Sequence, residues 1–151
     1  MPAAHDVAKP ARKFHFISGL PRSGSTLLAA ILNQNPRFRA GMTSPLADIM
    51  GVVIAEASSK NDFSFDVSDE QRAAMLRGLV ENFYAGEADA GVVFDTSRLW
   101  CSRMPLLGAL FPGAKVIACV RQLSWVLDSM ERLVRKQPVN VSKVFRFDTN
   151  T

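Results

Sequence analysis

Residues 19–26 read Gly-Leu-Pro-Arg-Ser-Gly-Ser-Thr. Glycines at both ends of such a run let the backbone curl until successive N–H groups point inward as an anion nest. Ser23, Ser25 and Thr26 add hydroxyl donors for phosphate or sulfate oxygens. Arg22 is the single cation of the run, and a guanidinium can fork onto two oxygens at once. The pattern is G-x-x-x-x-G followed by two hydroxyl residues, the outline of a phosphate loop. Ser25 stands where a nucleotide triphosphatase carries lysine. The ligand expected is therefore a phosphate or sulfate ester gripped by arginine and hydroxyls. The same residues could serve merely as a strand-to-helix turn with a capping serine. Strand, loop, hydroxyl pair and amphipathic helix arriving in this order favour the ligand loop.

The elements that must position this loop are readable on either side. Residues 14–18, FHFIS, form a short apolar run bounded by Gly19, which predicts a strand. Ser25 to Asn35 predicts a helix with Leu27, Leu28, Ile31 and Leu32 on one face, stopped by Pro36. A second helix is predicted over Pro45–Ala57. Ser68 and Gln71 make a capping box, opening a helix to about Tyr84. Residues 91–95 (GVVFD) and 115–120 (KVIACV) read as buried strands. A short helix falls near Leu99–Leu110, and Ser124 is placed to cap a last helix running to about Lys136. Apolar strands alternating with helices imply an α/β fold of three layers, a mainly parallel sheet with helices on both faces in the manner of P-loop proteins. Right-handed crossovers put the loops after Ser18, Asp95 and Val120 on one edge, where open α/β sheets bind ligands. Residues 1–12 read as a flexible leader and 13–151 as a single domain.

GLPRSGSTLL resembles the donor-binding loop of the sulfotransferases that use 3′-phosphoadenosine 5′-phosphosulfate. Their P-[KR]-S-G-[ST]-[ST] is matched throughout by Pro21, Arg22, Ser23, Gly24, Ser25 and Thr26. The arginine version is typical of the protein-tyrosine sulfotransferase branch and its bacterial relatives. FPGAKVIACVRQLSWVLDSMERL resembles the family segment that holds the 3′-phosphate, where an arginine at a strand end precedes a helical serine by eight residues. Arg121 and Ser129 have that spacing. The resemblance covers residues 14 to about 137. It implies sulfuryl transfer from this donor to an acceptor hydroxyl or amine, with no bound metal. Ser23, Gly24, Ser25 and Thr26 would hold the 5′-phosphate, and Arg22 would neutralise the charge that builds on it as it leaves. Family members are longer, so the chain is expected to lack a carboxyl-terminal part of the domain.

The general base is the weak point of the resemblance. The glutamate of the tyrosine-sulfating branch falls, without gaps, on Thr43. The K-T-H sequence of the cytosolic branch has no counterpart in FDTSRLW. Asp95 is the nearest carboxylate expected on the ligand edge, where burial could raise its pKa into a useful range. Capping the next helix or orienting Arg98 is the stronger expectation for it. Two other functions share the loop: a P-loop kinase or triphosphatase, with GVVFD as the magnesium-supporting strand, and a non-catalytic nucleotide-binding module.

Composition narrows the rest. A formal charge of +4 suits an anionic ligand, and the basic residues are scattered beyond Arg132, Arg135 and Lys136, so nucleic acid is not expected as a partner. The acceptor class stays open among carbohydrate, peptide, lipid and small metabolite. No apolar stretch long enough to span a membrane occurs. Cys101 and Cys119 lack metal-ligand spacing, and a reduced cytoplasmic chain is the expectation. A sheet cut short would leave apolar surface that invites self-association.

Overall fold

A computed structural model of the chain describes residues 12–58, 67–87 and 90–136. Its elements are β1 (Lys13–Gly19), α1 (Ser25–Leu32), β2 (Phe38–Ala40), α2 (Leu46–Glu56), α3 (Asp69–Phe83), β3 (Val92–Thr96), a 3₁₀ turn (Trp100–Arg103), α4 (Met104–Leu110), β4 (Val116–Cys119) and α5 (Leu123–Lys136). The four strands form one parallel sheet in the order β2-β3-β1-β4. β1 is interior, paired with β3 from Lys13↔Val92 to Ile17↔Thr96 and with β4 from Phe16↔Val116 to Gly19↔Cys119.

The apolar run of β1 serves both faces of the sheet, because successive side chains point to opposite sides. Phe14 and Phe16 enter a core with Met50, Val80, Trp100 and Leu107, drawn from α2, α3, the 3₁₀ turn and α4. Ile17 turns the other way and packs with Ala29 of α1, Ala40 and Phe94. Helices thus cover both faces, and the three layers expected from the sequence are present. The capping box forms: Gln71 N–H donates to Ser68 Oγ at 3.1 Å and Ser68 N–H to Gln71 Oε1 at 2.8 Å.

Four local expectations are corrected. The first helix ends at Leu32 rather than Asn35. Asn33 leaves it to pair through its side-chain amide with both backbone groups of Ala40, at 2.7 Å each. That pairing supports β2, a three-residue strand too short to show any periodicity. The segment near Leu99–Leu110 splits in two, with Pro105 inside the first turn of α4, where its missing N–H is harmless. Ser124 does not cap α5. The carbonyl of Gln122 already accepts from Trp125 and Val126, so Ser124 lies within the first turn.

The fourth correction concerns Asp95. Its side chain leaves the ligand edge and points into the core, fully buried. One carboxylate oxygen accepts from Tyr84 Oη and the other from Trp100 Nε1, each at 2.6 Å. It neither caps the next helix nor orients Arg98; it ties β3 to α3 and to the 3₁₀ turn. Burial, reinforced by the neighbouring carboxylate, pushes the Tyr84 phenol well above its ordinary pKa, so it stays a donor. A buried carboxylate deprived of one donor loses stability out of proportion to one neutral bond. Tyr84→Phe is therefore expected to lower the unfolding free energy by about 1.5–3 kcal/mol, read by urea denaturation, without altering ligand binding at the sheet edge.

Candidate functional site

The loop leaving β1 must turn sharply beside β4. A Cβ at Gly19 would lie 2.5 Å from the carbonyl oxygen of Cys119 and 2.7 Å from Ser23 Oγ. Only glycine allows the tip of β1 to pass its neighbour this closely. Gly24 is needed for a different reason: there is open space around it, but its φ of 103° is in the left-handed region. Leu28 N–H then donates to Gly24 carbonyl, and α1 begins. The first turn of α1 carries no acidic residue, so its positive end is uncompensated where Ser25 and Thr26 sit.

Between the glycines, Arg22 has φ 66°, the one positive φ of a non-glycine among the described residues. An arginine in this region costs about 1–2 kcal/mol relative to an ordinary conformation. Two contacts from outside the loop hold it there. Arg121 Nη1 donates to the Arg22 carbonyl at 3.1 Å, and Arg22 Nε donates to Ser129 Oγ at 2.9 Å. Arg121 follows β4 by two residues, and its guanidinium lies 5.8 Å from the centre of the Trp125 ring. This aromatic face one helical turn away steadies the cation. Arg22, Arg121 and Ser129 are thus brought together from the loop after β1, the loop after β4 and α5.

The remaining predicted residues take their places around this cluster. Pro21 and Ser25 are half-buried, and Thr26 is exposed at the start of α1. Ser23 Oγ is buried and has no hydrogen-bond partner within the protein. Leaving a hydroxyl in that condition costs about 1–3 kcal/mol, and an anion seated in the loop would supply the missing acceptor. Residues that can hold a doubly anionic ester are therefore present: one unpartnered hydroxyl, a helix amino terminus and two arginines.

Ser18 was not anticipated. Buried at the end of β1, it donates from Oγ to the Arg98 carbonyl at 2.9 Å and accepts from Cys101 N–H at 3.2 Å. Together with Ser97 N–H to Ile17 carbonyl at 3.0 Å, this clamps the loop after β3 against β1. A hydroxyl residue at the end of a strand run was the only signal. His15 keeps to packing, accepting Lys115 N–H at Nδ1. Burial lowers its pKa, with nearby Lys115 and Lys13 acting in the same direction. His5 lies outside the described residues. Thr43, on the loop before α2, is exposed. Among the described residues, no group of three or more His, Cys, Asp or Glu side chains is placed to hold a metal.

Comparison with known proteins shows the family. The model of the sulfotransferase family matches residues 15–150. The chain belongs to that family. It is 28% identical over 132 residues to a Caenorhabditis briggsae protein assigned, by name only, as a protein-tyrosine sulfotransferase. That match covers 82% of this chain and 44% of the relative, so the chain spans less than half of the relative's length.

Because Gly19 is fixed by close approach and not by phosphate chemistry, Gly19→Ala is expected to damage fold and loop together. An overpacked contact of this kind costs about 1–3 kcal/mol. Thermal unfolding should shift down accordingly, with anion binding lost in parallel.

Proposed function

We propose that the chain forms the donor-binding part of a sulfotransferase that uses 3′-phosphoadenosine 5′-phosphosulfate. The observation that carries this reading is the meeting of Arg22, Arg121 and Ser129 beside the glycine loop, across 99 and 107 residues of sequence. Pro21 to Thr26 would enclose the 5′-phosphate, with Ser23 Oγ finding its partner there. Arg121 and Ser129 would take the 3′-phosphate. The bound donor supplies the sulfuryl group; the protein's part is orientation and charge stabilisation, as in phosphoryl transfer. Arg22 holds its positive charge where negative charge grows on the leaving phosphate. The acceptor is a hydroxyl or amine. A tyrosyl hydroxyl, the acceptor in the relative's name, is the first to test. This reading leaves Asp95 to the core and does not assign it proton transfer.

A kinase or triphosphatase reading is disfavoured by two features. Ser25 replaces the lysine that would reach terminal phosphates. The aspartate of GVVFD, which would support magnesium, is held inward by Tyr84 and Trp100.

Titration calorimetry separates the two. Adenosine 3′,5′-bisphosphate without metal should bind more tightly than ATP with magnesium; the reverse order would reject the proposal. Arg22→Ala should reduce transfer by the equivalent of about 2.7–4 kcal/mol of barrier, while the protein still unfolds cooperatively. Arg121→Ala should weaken adenosine 3′,5′-bisphosphate by more than adenosine 5′-monophosphate, whose smaller loss reflects the released Arg22 carbonyl. Equal losses for both nucleotides would remove the 3′-phosphate assignment.

A further inference from the structure

The face of the sheet away from α1 carries a cation that the donor loop does not use. Arg103 ends the 3₁₀ turn and leads into α4. Its guanidinium lies against α2, where a Cβ at Gly51 would stand 2.6 Å from Nη2 and 3.3 Å from Cζ. Nη1 is buried and finds no acceptor among the described residues. We infer that Arg103 and the cavity beside it form a second anion site, shaped for a carboxylate with a short aliphatic body. The inference goes beyond the donor-binding reading and does not rest on it.

Three observations converge here. A buried guanidinium nitrogen without an acceptor costs more than an unpaired neutral donor, because burial penalises the charge as well. Other arginines avoid that condition. Arg39, Arg72, Arg132 and Arg135 each pair with a carboxylate, and Arg12 donates to the carbonyls of Tyr84 and Glu87. The second observation is the glycine. Inside a helix glycine is less favourable than alanine, yet at position 51 it lets the guanidinium rest on the backbone of α2. The third is an open cavity of about 380 Å³ beside the guanidinium, bounded by Gly51, Ile54, Ser102, Pro105 and Leu106. That volume is within the range of small-molecule sites.

The lining sets the chemistry of the ligand. Of the described residues around the cavity, Arg103 alone is charged. Ser102 Oγ already donates to the Leu99 carbonyl at 2.7 Å. Ile54, Pro105 and Leu106 supply apolar wall. An inorganic anion would meet the guanidinium and leave that wall wet. A wholly apolar molecule would cover the wall and leave Nη1 unpaired. A carboxylate on an aliphatic chain satisfies both, and a guanidinium suits a half-buried place better than an ammonium because it is more weakly hydrated. The turn beneath is firmly held. Trp100 Nε1 donates to Asp95, and Cys101 N–H donates to Ser18 Oγ.

The test uses the full-length protein, with hexanoate and its neutral counterpart 1-hexanol as probes. The δ1-methyl resonance of Ile54, assigned through Ile54→Val, is followed during titration. Hexanoate should shift it saturably, and 1-hexanol should bind about tenfold more weakly or worse. Arg103→Met keeps the length of the side chain and removes the charge. It should weaken hexanoate by about ten- to a hundredfold without lowering the thermal unfolding midpoint. Gly51→Ala displaces the guanidinium while favouring the helix, so hexanoate should weaken in a protein no less stable. Saturating adenosine 3′,5′-bisphosphate should leave hexanoate affinity unchanged. The inference is overturned by an unmoved Ile54 resonance, by equal affinity for the two probes, or by displacement of hexanoate by the bisphosphate. A lowered midpoint in Arg103→Met would show that the chain itself supplies the acceptor, and overturns it too. Failure of the wild type to bind the bisphosphate would count against the donor-binding reading alone, and the Ile54 resonance would still decide the second site.

Discussion

The site depends on one steric constraint: the tip of β1 passes β4 so closely that a single methyl group at Gly19 would strike the Cys119 carbonyl. Beyond this close approach the loop meets the segments that follow β4. The loop's arginine consequently finds its partners, Arg121 and Ser129, on the segments that follow β4. The interior position of β1 is what makes the contact possible, since it pairs with β3 on one side and β4 on the other. The chain then uses both sides. Ser18 and Ile17 fix the loop after β3, while Gly19 lies against the end of β4 and Arg22 engages the segments after it. One strand end thereby organises the whole ligand edge.

Much of this was legible in the sequence. Apolar runs at 14–18, 91–95 and 115–120 can be buried only as strands flanked by helices, and the connections between them force a parallel sheet. The course of the loop was legible because a glycine at each end of a short run, between an apolar strand and a helical pattern, marks a tight strand-to-helix turn. What escaped was of two kinds. The first is structure stabilised by a single side chain acting at short range. Asn33 substitutes for a strand neighbour and turns Phe38–Ala40 into β2, and no pattern in three residues announces that. The second is side-chain direction at the end of a strand. Asp95 occupies a position one residue from the tip of β3, where either face was open to it. Tyr84, at the carboxyl cap of α3, and Trp100 decide the matter by offering two donors in a buried place. Neither donor can be associated with Asp95 from sequence distance alone.

The inward turn of Asp95 commits its carboxylate to the core. A magnesium-supporting carboxylate has to stand near the phosphates with lone pairs to spare. Here both oxygens are spent on neutral donors in the core, one of them a phenol that keeps its proton. The positive groups gathered at this edge of the sheet are the guanidinium groups of Arg22 and Arg121 and the amino terminus of α1.

That gathering carries its own cost. Among the described residues, neither Arg22 nor Arg121 forms an ion pair, although four other arginines of the chain do. Arg121 is instead steadied by an aromatic face and a carbonyl, and Arg22 by a hydroxyl: partners that orient a cation without cancelling it. Each of these contacts is weaker than a carboxylate pair would be, and the left-handed backbone at Arg22 is unfavourable besides. An arrangement that forgoes its strongest local partners keeps two cations under-neutralised beside a buried hydroxyl without an acceptor. An anion with several oxygens, arriving at this edge, relieves all three conditions at once. This is why the same residues that look strained within the chain read as preorganised for a ligand.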